Sequence, residues 1–125
     1  MLRIDRPMTS KLACAESGAT PALALVDEAR ARGARVVDVA PRSGSGHVRQ
    51  MTPVLVFQPA ADTRLMREEI FGPVLPVLTY TQLDEAIATI NAGPRPLALY
   101  WLGSDAASRD RVLRGTVSGG VPVND

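Results

Sequence analysis

The chain has 125 residues, 14 basic against 13 acidic side chains, a formal net charge of +1, and is 46% hydrophobic and 22% charged. That length and balance fit a soluble globular domain with a real core and exclude a disordered chain. Near-neutrality excludes the basic footprint with which proteins hold nucleic acid or anionic membranes, and a single cysteine excludes an internal disulfide or a zinc site of paired cysteines. Residues 1–19 mix charged and small side chains without a period and are expected to form an irregular arm, leaving 20–125 as the folded part. Their first residues are charged where a signal peptide needs an apolar core. No apolar run approaches the roughly 18–20 residues of a membrane-spanning helix, so a cytoplasmic chain without a membrane partner is the expectation.

Thr20 and Pro21 suit a helix start, because threonine can cap and proline has no N–H to lose in the first turn. Ala22, Leu25, Val26 and Ala29 then share one helical face, and Gly33 supplies the stop. Residues 34–39 form a short β-rich run, 41–50 read as loop, and 54–57 read as a strand limited by Pro53 and Pro59. Residues 74–80 are strand-like, with Pro76 marking an edge or a bend. From Thr81 a helix places Leu83, Ala86, Ile87 and Ile90 on one face and ends near Gly93-Pro94. Residues 97–102 are a continuous apolar run, the pattern of a strand covered on both faces. Ser104 or Asp105 caps a further helix with Val112 and Leu113 as apolar contacts; Ser118-Gly-Gly120 closes it, and 121–123 is a last short strand. Strand–helix–strand–helix–strand predicts an α/β fold, a mostly parallel sheet with flanking helices.

Three constellations bear on chemistry. Arg67-Glu68-Glu69-Ile70-Phe71-Gly72-Pro73 puts two acids at a helix end, ordinarily a solvated surface. The Phe-Gly-Pro that follows sets them apart, since glycine permits close backbone approach and proline fixes the turn, so a carboxylate and an aromatic face can be held toward a ligand. Gly44-Ser-Gly-His47 with Arg42 and Arg49 matches neither a dinucleotide fingerprint nor a phosphate loop and reads as plain loop. His47, the one histidine, supports neither a His-based triad nor a metal cluster. Cys14, flanked by alanines, reads as a small packing residue rather than an activated nucleophile.

Taken together, Met66-Arg-Glu-Glu-Ile-Phe-Gly-Pro-Val74, Leu83-Asp-Glu-Ala-Ile87, Arg95-Pro-Leu-Ala-Leu-Tyr100, Thr116-Val-Ser-Gly-Gly-Val121 and Val123-Asn-Asp125 resemble the aldehyde dehydrogenase superfamily, in family order. The resemblance runs from about Thr20 to Asp125 and leans toward the coniferyl and fatty or aromatic aldehyde branch. It implies oxidation of an aldehyde to the acid with NAD or NADP: a cysteine thiolate attacks the carbonyl, hydride passes to the nicotinamide, and a glutamate-activated water hydrolyses the thioester. Carried over, Glu69 resembles the glutamate that hydrogen-bonds the nicotinamide ribose, and Phe71 the aromatic packed near the nicotinamide ring. Two ribose hydroxyls suit a carboxylate acceptor.

Nothing in the chain matches the nucleophile's Gly-Gln-x-Cys-like setting, and Cys14 lies too near Glu69 in sequence to fill that role. The general-base glutamate and the dinucleotide-gripping Rossmann region have no counterpart either, so no catalytic residue and no metal ligand is assigned. Pro122 departs from the family pattern and weakens pairing of the last strand. The expectation is part of a catalytic domain, from a truncated or split gene, inactive toward aldehydes alone and prone to self-association or to binding a complementing fragment. The alternative is a non-catalytic interaction or oligomerisation module derived from the same fold. A free-standing nucleotide-binding domain is disfavoured by the lack of a phosphate loop.

Overall fold

The computed structural model describes residues 2–5, 21–39 and 51–125. In chain order the elements are β1 (Leu2–Asp5), α1 (Pro21–Ala31), β2 (Arg35–Asp38), β3 (Val54–Phe57), α2 (Arg64–Arg67), β4 (Val74–Val77), α3 (Leu83–Asn91), β5 (Ala98–Trp101) and α4 (Ala106–Gly115). Thr20, Cys14, His47, Arg42, Arg49 and the expected 41–50 loop lie outside the described residues. Residues 21–39 and 51–79 belong to one compact unit, and residues 2–5 and 80–125 to a second.

In the first unit, α1 buries the face its spacing predicts: Ala22, Leu25, Val26 and Ala29 are all at most 3% exposed. The helix ends in a Schellman motif. The Ala34 N–H donates to the Ala29 carbonyl at 3.0 Å and the Gly33 N–H to Arg30 at 3.0 Å, with Gly33 at φ +87°. The buried face packs on Val54, Val56, Leu65 and Val74, with Ala34, Val36, Met51 and Ile70 at its margin. The three-stranded sheet runs β2-β3-β4. β2 pairs antiparallel with β3, Val36 opposite Val56, and β3 pairs parallel with β4, Val56 opposite Pro76.

Pro76 explains why β4 is an edge. The Val54 N–H reaches the Pro73 carbonyl at 2.8 Å and the Gln58 N–H reaches Val77 at 2.9 Å. Alternation along the parallel ladder therefore turns residues 73, 75 and 77 toward β3 and Pro76 away, so the missing donor falls on the outer side.

In the second unit, α3 and α4 cover one face of β5, where Leu99, Trp101, Ile90 and Val112 are buried together with Leu83 and Ile87 against them. β5 is central. β1 pairs with it antiparallel, Ile4 opposite Leu99, while Gly120 and Val123 make parallel bridges to Ala98 and Trp101. The Leu99 and Trp101 N–H groups donate to the Gly120 and Pro122 carbonyls, and the Asn124 N–H donates to Trp101. A residue with an N–H at position 122 would complete that ladder on the Leu99 carbonyl; proline cannot, which leaves two isolated bridges in place of a strand.

Four expectations are revised. Residues 2–5 belong to a strand rather than an irregular arm, because four residues are too short to show a period and their register comes from β5, more than 90 residues on. The sheets are mixed rather than mostly parallel: β4 and β5, expected to be linked by a crossover in one sheet, lie in different sheets. The apolar run at 97–102 is buried only at alternate positions, with Leu97 56% and Leu102 40% exposed. The last helix closes at Gly115, ahead of Ser118-Gly-Gly120. Among the described residues no helix is long and apolar enough to cross a membrane.

Candidate functional site

The site is built on a helix of four residues, α2, which is too short to be stable by itself. Its N-cap, Thr63, is fully buried and does not cap with its side chain; the hydroxyl donates instead to the Ala60 carbonyl at 2.7 Å. The cap comes from α1. Glu28 Oε1 accepts the first free N–H of α2, that of Arg64, at 3.1 Å, and Arg32 Nη2 bonds both oxygens of Asp62 at 2.6 and 2.7 Å. The Arg32 guanidinium holds the Asp62 carboxyl below the ordinary carboxylate range. Leu65 anchors the helix in the core shared with α1.

The two adjacent acids that follow are treated differently. Glu68 is the C-cap of α2 and is held from both ends: its N–H donates to the Arg64 carbonyl at 2.8 Å, and its carboxylate takes Arg64 Nε at 2.7 Å and Nη2 at 2.9 Å. That bidentate bond holds the Glu68 carboxyl below its usual range, against a smaller desolvation cost. Glu69 has a buried carboxylate oxygen, Oε2, with no hydrogen-bond partner. Buried acceptors are rarely left so, and one without a protein partner suits donors supplied by a ligand.

Beyond Glu69 the chain is clamped to the core. Ile70 packs on the α1 cluster, while Phe71 stands 51% exposed. A Cβ at Gly72 would lie 2.8 Å from the Ala22 Cβ, so the glycine serves close approach to α1 rather than to a ligand. The Val74 N–H closes a three-residue turn on the Gly72 carbonyl at 2.8 Å, which the fixed φ of Pro73 suits. The expected pair, Glu69 and Phe71, thus flanks a core residue on a segment fixed at both ends.

The residues fit a nicotinamide ribose by this criterion: an orphaned carboxylate oxygen for hydroxyl donors, and an exposed ring two residues on. Among the described residues no group of three or more His, Cys, Asp or Glu could hold a metal ion. The supports of the site, Glu28, Arg32, Asp62 and Arg64, are absent from the sequence reading. Only the i,i+4 spacing of Arg64 and Glu68 signals a pairing there; Glu28 and Arg64 are 36 residues apart.

Comparison with known proteins identifies the family. Residues 13–125 match the family model described as "Aldehyde dehydrogenase family". The chain is 54% identical over 104 residues to a probable coniferyl aldehyde dehydrogenase of Caulobacter vibrioides, covering 80% of this chain and 21% of the relative. It is 43% identical over 101 residues to the coniferyl aldehyde dehydrogenase of a Pseudomonas species, covering 78% and 21%. A solved structure of aldehyde dehydrogenase C from Pseudomonas syringae, complexed with NAD+ and octanal, superposes with a TM-score of 0.69 at 30% identity, covering 82% of this chain and 21% of that one. The chain therefore spans about a fifth of the length of the relatives it matches. It resembles coniferyl aldehyde dehydrogenases in sequence, its fold is a partial α/β domain with mixed sheets and flanking helices, and it belongs to the aldehyde dehydrogenase family.

Proposed function

We propose that the chain is the nicotinamide-ribose-holding part of an NAD(P)-dependent aldehyde dehydrogenase whose substrate is a coniferyl-type, aromatic or fatty aldehyde, and that alone it does not oxidise aldehydes. The unpartnered Oε2 of Glu69 carries this reading. Glu69 accepts the ribose hydroxyls and Phe71 lies beside the ring; the bound nicotinamide supplies the hydride acceptor. The protein's contribution here is placement. The nucleophilic cysteine and the general base are not supplied by this chain. The cofactor's phosphates have no gripping loop in the sequence, so binding by the chain alone is weak.

Titrating NAD+ into the 15N-labelled chain tests this. Shifts confined to the Glu69–Gly72 amides are expected, at least several-fold weaker in Glu69→Gln, with no NADH formed from an added aromatic aldehyde. Equal responses in the two proteins remove Glu69 from the site, and NADH formation overturns the inactivity of the chain.

A second reading, an association module, is favoured by the second unit. Leu97 is 56%, Val117 64% and Tyr80 45% exposed there, beside Leu102, Val121 and Val123 at 38–40%. Exposed apolar surface of that extent drives self-association or capture of a complementing segment. Sedimentation velocity across concentrations is expected to show a rising mass; a constant monomer refutes it.

A further inference from the structure

We infer that Glu28 is a positioning residue for Glu69: from α1 its carboxylate sets where α2 delivers the acid that takes the ribose hydroxyls. The purpose rests on the ribose-acceptor reading, whereas the anchor rests on contacts within the chain. The connection is a short run of hydrogen bonds. Glu28 Oε1 accepts the Arg64 N–H at 3.1 Å, and the Arg64 carbonyl accepts the Glu68 N–H at 2.8 Å. The backbone of Arg64 thus links α1 to the residue next to Glu69. Glu68 is extended, at φ −94° and ψ 157°, so neighbouring side chains there face opposite sides and the direction of α2 reaches Glu69 through a single residue. Glu68 meets Arg64, while Glu69 keeps its buried, unpartnered oxygen.

α1 serves as a ruler for the whole segment. Arg32 holds Asp62, Glu28 holds Arg64, and Ala22 closes against Gly72, so the segment runs along α1 in the opposite direction. At about 1.5 Å per residue, those anchors stand roughly 6 and 9 Å apart along the helix. Glu69 lies between the last two. Leu25, Glu28 and Arg32 follow one another at spacings of three and four, so the polar anchors continue the buried stripe of α1. The Gly72 end is fixed by shape, since a Cβ there would meet Ala22. At the other end Leu65 keeps α2 in the core, and the Glu28 bond fixes the turn of α2 about that contact. Loss of the carboxylate therefore shifts α2 on α1 without unfolding the unit.

The test compares 15N-labelled Glu28→Ala, Glu28→Gln and Asp27→Ala chains with the unmodified one, by amide spectra and NAD+ titration. Asp27 is the neighbouring acid on α1 and pairs with Arg30, so it controls for loss of a charge from that helix. In Glu28→Ala the Glu68–Ile70 amide resonances are expected to move before NAD+ is added. NAD+ affinity is expected to fall about three- to tenfold, the order of one hydrogen bond. Glu28→Gln keeps an acceptor oxygen at the same reach and is expected to restore both to within about twofold; Asp27→Ala is expected to move neither. A merely structural role predicts lower urea stability with unchanged affinity of the folded chain, and that result overturns the inference. So do Glu68–Ile70 resonances that stay in place in Glu28→Ala, or a Glu28→Gln chain that restores nothing. Should the unmodified chain give no NAD+ response, the ribose reading fails, and the resonances of Glu28→Ala still decide whether Glu28 positions Glu69.

Discussion

Gly33 lies at the C-terminal end of α1 and Gly72 packs near its start, and each disfavours a side chain for a different physical reason. Gly33 has φ +87° with nothing within 4 Å of an added Cβ, so the cost of a side chain there is conformational. Gly72 lacks that backbone strain but would drive a Cβ to 2.8 Å from Ala22 on α1. Gly33→Ala is expected to cost about 1–2 kcal/mol and Gly33→Asn less, because asparagine enters the left-handed region more readily. At Gly72 the order inverts. Alanine costs about 1–3 kcal/mol by overpacking, and asparagine, being larger, costs more. Urea denaturation of the four variants checks both orders, and equal rankings at the two positions refute the assignment. Gly33 was legible in the sequence as a helix stop because the motif is local. The role of Gly72 was not, because Ala22 lies 50 residues earlier and only packing brings it close.

Among the elements, α4 shows a cap doing what its sequence predicts. Asp105 accepts from the N–H groups of Ala107 and Ser108 at 3.0 and 3.4 Å and from the Ser108 hydroxyl at 2.6 Å. The Ser108 hydroxyl first, then the backbone N–H groups, hold the Asp105 carboxyl below its usual range. A carboxyl depressed in the folded state stabilises above its unfolded value and loses that contribution as pH falls through the folded one. Melting temperature followed from about pH 5 down to about pH 2 is therefore expected to fall less steeply in Asp105→Asn, which keeps an acceptor oxygen without the charge. An unchanged acid limb refutes this. By contrast α2 has no sequence-local cap, and the acceptor that completes it, Glu28, belongs to another helix. The same division holds for the prolines. Pro76 was legible as an edge marker and Pro122 as a weakness in the last strand, but which rung Pro122 removes became visible only once the Leu99 carbonyl was placed opposite it.

For the whole molecule, the two hydrophobic clusters are built from different parts of the chain. One gathers α1, β3, Leu65 and Val74; the other gathers Ile90, Leu99, Trp101 and Val112. Leu99 is fully buried on the central strand of its unit, with α3 and α4 over it. Leu99→Ala is expected to cost about 2–5 kcal/mol through lost transfer energy and the cavity left behind. Hydrogen exchange should show the loss of protection centred on α3, β5 and α4. A uniform small change across the chain, or a cost under about 1 kcal/mol, refutes a core role for Leu99. The exposed Leu97, Val117, Val121 and Val123 of the same unit show why a length suited to one domain does not make a closed one. The aligned 104 residues make up 21% of the Caulobacter vibrioides relative, which is therefore about four times as long as this chain.

Periodicity, capping chemistry and the Glu-Glu-Ile-Phe-Gly-Pro run are local in the chain. By themselves they marked α1, α3 and α4 with most of their inward positions (Leu113, expected as a contact, is 37% exposed), the strand at 54–57, a strand-like run at 74–80 of which 74–77 forms β4, the family, and the two candidate residues, Glu69 and Phe71. Strand pairing and contacts between helices join residues tens of positions apart, and no local pattern encodes them. The tertiary structure therefore decided that the sheets are mixed, that residues 2–5 form a strand, and that α1 supplies the cap for α2. It also decided how two adjacent glutamates of the same type differ: Glu68 is ion-paired with Arg64, while Glu69 keeps a buried oxygen without a partner.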